Sequence, residues 1–262
     1  MRIGYPCINR SLDCTSSSTF RLASYTPQRF RDTVEANLSC LERILRYNIE
    51  QGFLFFRISS DLIPFASHDS CDVLWWQEFE RPFRDLGACI RTHGMRISMH
   101  PDQFIVLNSN RPEVVERSIA ELVYHARVLD LMQLNTDAKI QLHVGGVYGD
   151  RAAALNRFGA VYRDLPEAVS RRLVVENDDR LYSLRDCLQL HDELGIPVLL
   201  DTLHHEALNH GESLSRALEQ AADTWQDRDG PPMVDYSSQK PGARPGRHRE
   251  TLAPEHFRKT MR

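Results

Sequence analysis

Seven short runs rich in β-branched and aliphatic residues, each separated from the next by a long stretch with helical spacing, constrain this chain more than any other feature. They fall at about residues 2–6, 54–59, 96–100, 139–144, 173–177, 197–202 and 233–238. Strands that alternate with helices return to pair in the same direction, which gives a parallel sheet wrapped in helices. Two of the helical stretches are explicit. From Pro112 to Met132, Val115, Ile119, Leu122, Ala126 and Leu129 recur every three or four residues, and Pro112 suits a first helical turn. From Pro27 to Gln51, Thr26 is the cap, Val34, Leu38, Leu41 and Leu45 share one face, and Gly52 stops the helix. Residues 59–76, with Pro64, Ser67, His68 and the pair Trp75-Trp76, break this rhythm and read as a long loop above the strand ends.

The pattern predicts an α/β fold, a TIM (β/α)8-type barrel formed as one domain over residues 1–262. Such a barrel closes with eight strands, and only seven are visible, so the last strand is expected to be lacking at the C-terminus. No run approaches the roughly 18 apolar residues needed to cross a membrane, and Met1 to Pro6 reads as a strand rather than a secretion signal, so no membrane partner is expected. The expected location is cytoplasmic. Six cysteines show no Cys-x-x-Cys spacing, and in a chain of 262 residues they suit reduced thiols better than a disulfide framework. A net charge of -4 argues weakly against a protein that coats nucleic acid. That sum conceals Lys240, Arg244, Arg247 and Arg249, which stand in one acid-free loop suited either to phosphates or simply to solvent.

The ends of the runs carry the chemistry. Pro197 to Leu200 reads as a buried strand that leads directly into Asp201, with His204 three positions on, close enough for both to reach one divalent cation. Asp201 or Thr202 equally suits a cap for the next helix. His100, His143 and Glu176 end the third, fourth and fifth runs, so four consecutive strands deliver a metal-capable side chain at the same end, where barrel enzymes build their sites. Mixed imidazole and carboxylate donors favour Zn or Mn over Mg or Ca, and Glu176, in the middle of the series, suits a bridging role. Two or three such ions would activate water and stabilise a leaving oxyanion, which points to phosphodiester hydrolysis.

Read in order, Gly4-Tyr5-Pro6-Cys7, Leu62 to His68, Ser98-Met99-His100-Pro101, Leu142 to Gly146, Glu176-Asn177-Asp178, Asp201 to His205 and Arg244 to His248 resemble the UV damage endonucleases over nearly the whole chain. The resemblance implies a barrel related to endonuclease IV that uses divalent ions, Mn above Zn or Mg, to cut UV-damaged double-stranded DNA on the 5′ side of a photolesion, acting as a monomer. It implies metal-site roles for His68, His100, His143, Glu176, Asp201, His204 and His248, with Glu176, His68 and His143 assigned to catalysis. Gln103-Phe104 match the family's probing pair, with Phe where Tyr is usual; taken without the resemblance, Phe104 reads as core. Tyr5 and Asn9 match its lesion pocket, and Lys240, Arg244 and Arg247 are the expected phosphate contacts. Met233 stands where the family commonly has Lys, and Asp235 where it has His; Asp235 retains a donor, Met233 does not. The family's eighth strand supplies a final glutamate ligand that is not visible here. Two other readings fit a related sequence: a sugar isomerase or epimerase, and a DNA-binding chain with impaired catalysis.

Overall fold

The computed structural model of the chain describes residues 1–260. In chain order the elements are β1 (Gly4–Pro6), α1 (Pro27–Gln51), β2 (Phe55–Ser59), α2 (Trp75–Glu78), α3 (Glu80–Thr92), β3 (Arg96–His100), α4 (Pro112–Leu131), β4 (Lys139–His143), α5 (Arg151–Arg163), α6 (Glu167–Ser170), β5 (Leu173–Glu176), α7 (Leu184–Leu194), β6 (Val198–Asp201), α8 (Thr202–Ala207), α9 (Leu214–Ala222), β7 (Val234–Asp235) and α10 (Pro254–Thr260). All seven expected strands form, and the two explicit helices match their predicted ranges to within a residue. β7 is shorter than expected because only Val234 and Asp235 pair with β6. Residues 59–76 hold a single 3-10 turn, Ser60–Leu62, and the start of α2.

The chain divides into two compact units. The first holds residues 1–104, 116–140 and 166–172, the second residues 105–115, 141–165 and 173–262. In the first, β1, β2, β3 and the start of β4 pair in parallel in sequence order, and Ser59 lies opposite His100 at the C-terminal ends of β2 and β3. Helix α1 forms because the Thr26 side chain accepts the Arg29 N–H, Pro27 occupies the first turn, and Phe30, Val34, Leu38, Leu41 and Leu45 recur on a buried face. In the second unit the end of β4 is followed in the sheet by β5, β6 and β7, with β5–β6 and β6–β7 parallel. Every residue of β5 and β6 is buried, the near-continuous apolar run expected of a strand covered on both faces.

Two features of the first unit were not foreseen. Cys14 and Cys40 form a disulfide, correcting the expectation of six reduced thiols. The loop after β1 lies against α1 there, bringing the two Cα atoms to 5.9 Å, within ordinary disulfide reach. Cys7, Cys71, Cys89 and Cys187 stand outside this disulfide as thiols. The second feature is Arg172, 1 % exposed just before β5. Its guanidinium donates to Asp130 Oδ1 (2.7 Å) and to the carbonyls of Leu134 (2.7 Å), Asn135 (2.6 Å) and Ala138 (3.2 Å). Burial lowers its pKa, and Asp130 offsets part of that loss.

Candidate metal centre

In the second unit, His143, Glu176, Asp201 and Asp235 are the last residues of β4, β5, β6 and β7. Asp201 and Asp235 are direct cross-strand partners. One donor atom each from Glu176, Asp201 and Asp235 lie within 4.8 Å of one another, and so do those of Asp201, His204 and His248. Asp201 therefore belongs to both groups. The alternative of a capping role is also realised: Asp201 Oδ1 accepts the His204 N–H at 2.9 Å and starts α8. One carboxylate both ends the strand and turns His204 toward it.

Asn177, the residue after Glu176, fixes this corner. Its side chain donates to the Asp201 carbonyl (3.1 Å) and accepts the Asp201 N–H (2.9 Å). Its own carbonyl lies 2.9 Å from His204 Nδ1, so that nitrogen carries a proton and points Nε2 the other way. His204 Nε2 lies 3.1 Å from His248 Nε2, and the rings of His143 and His204 are 5.7 Å apart. The sequence singled out Asn177 only as part of a motif. An amide directly after a strand-end glutamate was the available signal, but its partners are set by the neighbouring strand.

Burial and neighbouring charge set the electrostatics of this corner. Burial pushes the Asp201 carboxyl up to about 7, and Glu176 and Asp235 add to the rise against the opposing influence of His204. Burial works against the His204 imidazolium, yet Asp201, Glu176, the Asn177 carbonyl and Asp179 together raise its pKa. His248 is lowered, first by burial and then by His204. Three clustered carboxylates with imidazoles on one side form a donor set of the hard and borderline kind that divalent cations accept. The fit to a metal is good.

His248 arrives on the loop after β7. Gln239 and His248 form an isolated antiparallel bridge, Gly246 N–H donates to Gln239 Oε1 (2.9 Å), and Arg244 Nη1 donates to Asp179 Oδ2 (2.5 Å). Gly246 takes φ +78°, and a Cβ there would collide with the Asp179 side chain, so only glycine lets the loop close. Arg244, expected to contact phosphate, holds this loop; Lys240 and Arg247 are exposed. Gln141 Nε2 donates to Asp235 Oδ2 at 2.9 Å. Neither Asp179 nor Gln141 was singled out by sequence reasoning.

The remaining predicted residues lie in the first unit. His100 ends β3, and its Nδ1 stands 2.7 Å from the Pro101 carbonyl. His68 accepts the Ser70 N–H on Nδ1 and meets the Phe65 ring edge to face. Asn9 donates to the Tyr5 hydroxyl, which donates to Asn48 Oδ1 at 2.6 Å; burial raises the Tyr5 pKa. Phe104 follows Gln103 and is 73 % exposed, so the core reading of that ring is wrong.

A family model described as UV-endonuclease UvdE matches residues 1–261. The UV DNA damage endonuclease of Clostridium perfringens (strain 13 / Type A) is 34% identical over 259 residues, covering 98% of this chain and 63% of that protein, so the chain spans just under two thirds of that relative's length. The solved structure of SacUVDE is 46% identical with a TM-score of 0.96, covering 100% of this chain and 89% of that one. Endonuclease IV from Thermus thermophilus, at 18% identity and a TM-score of 0.54 over 81% of this chain and 78% of its own, shares the fold alone. The fold class is α/β of the TIM-barrel type, as the strand and helix order predicted.

Proposed function

Because this chain belongs to the UV-endonuclease UvdE family, we propose that it is a metal-dependent endonuclease that incises UV-damaged double-stranded DNA on the 5′ side of a photolesion. The observation that carries the metal dependence is the pair of donor groups sharing Asp201. Glu176, Asp201, Asp235, His204 and His248 are the proposed holders of two or three divalent ions, with Mn preferred and Zn or Mg as other candidates; His143, His100 and His68 are assigned to the site by their places in the ordered motifs. When bound, such ions supply Lewis acidity that activates water and neutralises charge on the phosphoryl oxygens.

The chain's own residues do the rest. Asn177 keeps the His204 proton on Nδ1 and presents Nε2. Asp201 anchors strand end and helix start together, so its carboxylate does not reorganise during turnover. Glu176, with His143 and His68, is assigned to proton handling at the attacked phosphate. Phe104, exposed beside Gln103, suits a wedge that unstacks a lesion so that the flanking phosphate becomes accessible. Tyr5 and Asn9 are assigned to the lesion pocket, and Lys240 and Arg247 to phosphates.

The test is a labelled duplex carrying one cyclobutane pyrimidine dimer, incubated with the 262-residue protein and MnCl₂ beside an undamaged control. Mn-dependent incision immediately 5′ of the dimer, and none of the control, is expected. Equal cutting of both duplexes would overturn the lesion specificity, and absence of cutting with Mn bound would overturn the activity.

A further inference from the structure

Tyr148 lies five residues past His143, in the loop that follows β4. The residue is 44 % exposed, and its backbone sits at φ +53°, the left-handed region that a bulky residue avoids. Gly145 and Gly149, at +110° and +82°, show what such a turn ordinarily uses. The strained conformation is held from below. Asn108 Nδ2 donates to the Gly146 carbonyl (2.8 Å), its Oδ1 accepts the Gly146 N–H (3.2 Å), and the Tyr182 hydroxyl donates to the same carbonyl (3.0 Å).

The ring rests on that clamped backbone. A Cβ at Gly146 would come within 2.8 Å of the Tyr148 ring, so bare backbone is what lets the ring settle. Arg157, whose Nε donates to the Asn108 carbonyl at 3.0 Å, brings its guanidinium carbon to 5.5 Å from the ring centroid. Its Nη2 is buried with no hydrogen-bond acceptor among the described residues, which leaves the ring as its electron-rich neighbour. A flat ring, half open to solvent and fixed by a scaffold that overrides its backbone preference, is built to meet something flat.

We propose that Tyr148 is a stacking site for a nucleobase of the DNA strand held at the metal centre, a site that rests on the endonuclease reading. A base fits better than a phosphate because Arg157 is already engaged by the ring and by Asn108, and what Tyr148 offers solvent is an aromatic side chain without charge. Tyr148 is thus a positioning residue, setting the register of the strand.

The test uses duplex DNA with 2-aminopurine beside a single cyclobutane dimer, bound by wild-type protein and by Tyr148→Phe and Tyr148→Gly variants in EDTA, with melting temperatures recorded for each. Tyr148→Gly removes the ring and relieves the backbone strain, so its melting temperature should not fall, while DNA affinity drops about 5- to 150-fold. Tyr148→Phe should bind like wild type. The salt dependence of binding should keep its slope in both variants, since no phosphate contact is removed. Quenching of 2-aminopurine should accompany binding of wild type and Tyr148→Phe and be lost in Tyr148→Gly. Wild-type affinity and quenching in Tyr148→Gly would overturn the stacking site alone; absence of DNA binding by the wild type would overturn the endonuclease reading beneath it.

Discussion

Arg172 and the Glu176–Asp201 pair, with half-buried Asp235 beside it, are both buried charge, four positions apart in sequence at their nearest, and they are treated in opposite ways. The Arg172 guanidinium is met by a carboxylate and three carbonyls, so its charge is answered wholly by protein. The three carboxylates instead face one another, and burial and mutual repulsion raise the Asp201 carboxyl to about 7. A buried charge with a full set of partners holds a fold together, whereas buried like charges hold a place for a counter-ion.

The largest effect expected from this contrast is on turnover. Glu176→Gln should lower the incision rate about 10³-fold or more, because the charge it removes acts on the transition state through the site it completes. The same variant without metal should melt no lower than wild type, since a like-charge contact is relieved, and the rise in melting temperature on adding Mn should shrink. A large loss of metal-free stability would break the comparison. Arg172→Ala should do the reverse: unfolding by urea should show a loss of about 3–5 kcal/mol, with Asp130 and three carbonyls left unanswered, while protein that remains folded keeps its Mn affinity.

His125 sharpens the contrast from a third direction. It is 0 % exposed in α4, and burial pushes its pKa down to about 4. The folded state resists a proton that the unfolded chain accepts near pH 6.5. Its contribution to stability is therefore full above that pH and declines as pH falls toward 4, by about 3 kcal/mol in total. Urea unfolding of metal-free His125→Gln between pH 7 and 4 should lack this part of the slope; a slope equal to that of wild type would remove His125 as its source. The smallest effect is expected at Asp179, which grips Arg244 and crowds Gly246 in the loop that carries His248. Asp179→Asn should weaken Mn binding about 10-fold by titration calorimetry while leaving the melting temperature of the metal-free protein within a degree or two.

The strands were legible because a buried parallel strand such as Val198–Asp201 is apolar to its last residue and then abruptly is not. His143, Glu176, Asp201 and His204 were legible for the same reason, since they stand where apolar runs stop. Asn177, Asp179 and Gln141 were not. Each acts through a partner on another strand or loop, at separations of 24, 65 and 94 residues, and no local pattern encodes such a pairing. The Cys14–Cys40 link was missed because spacing says nothing about where a loop lies. Phe104 was misread as core when taken alone, because a single aromatic residue carries no mark of its own exposure.

The carboxylate common to both donor groups has a consequence for loading. Under the proposed function, an ion held by Glu176, Asp201 and Asp235 and an ion held by Asp201, His204 and His248 would share the Asp201 carboxylate. Each withdraws electron density that the other would use, so occupancy of one group weakens the other, and by thermodynamic reciprocity the factor is the same in either order. A Mn titration would then show a tight step followed by a weaker one. The protein would carry its first ion at scarce metal and its full complement only when metal is plentiful, which makes the share of active molecules a function of metal supply.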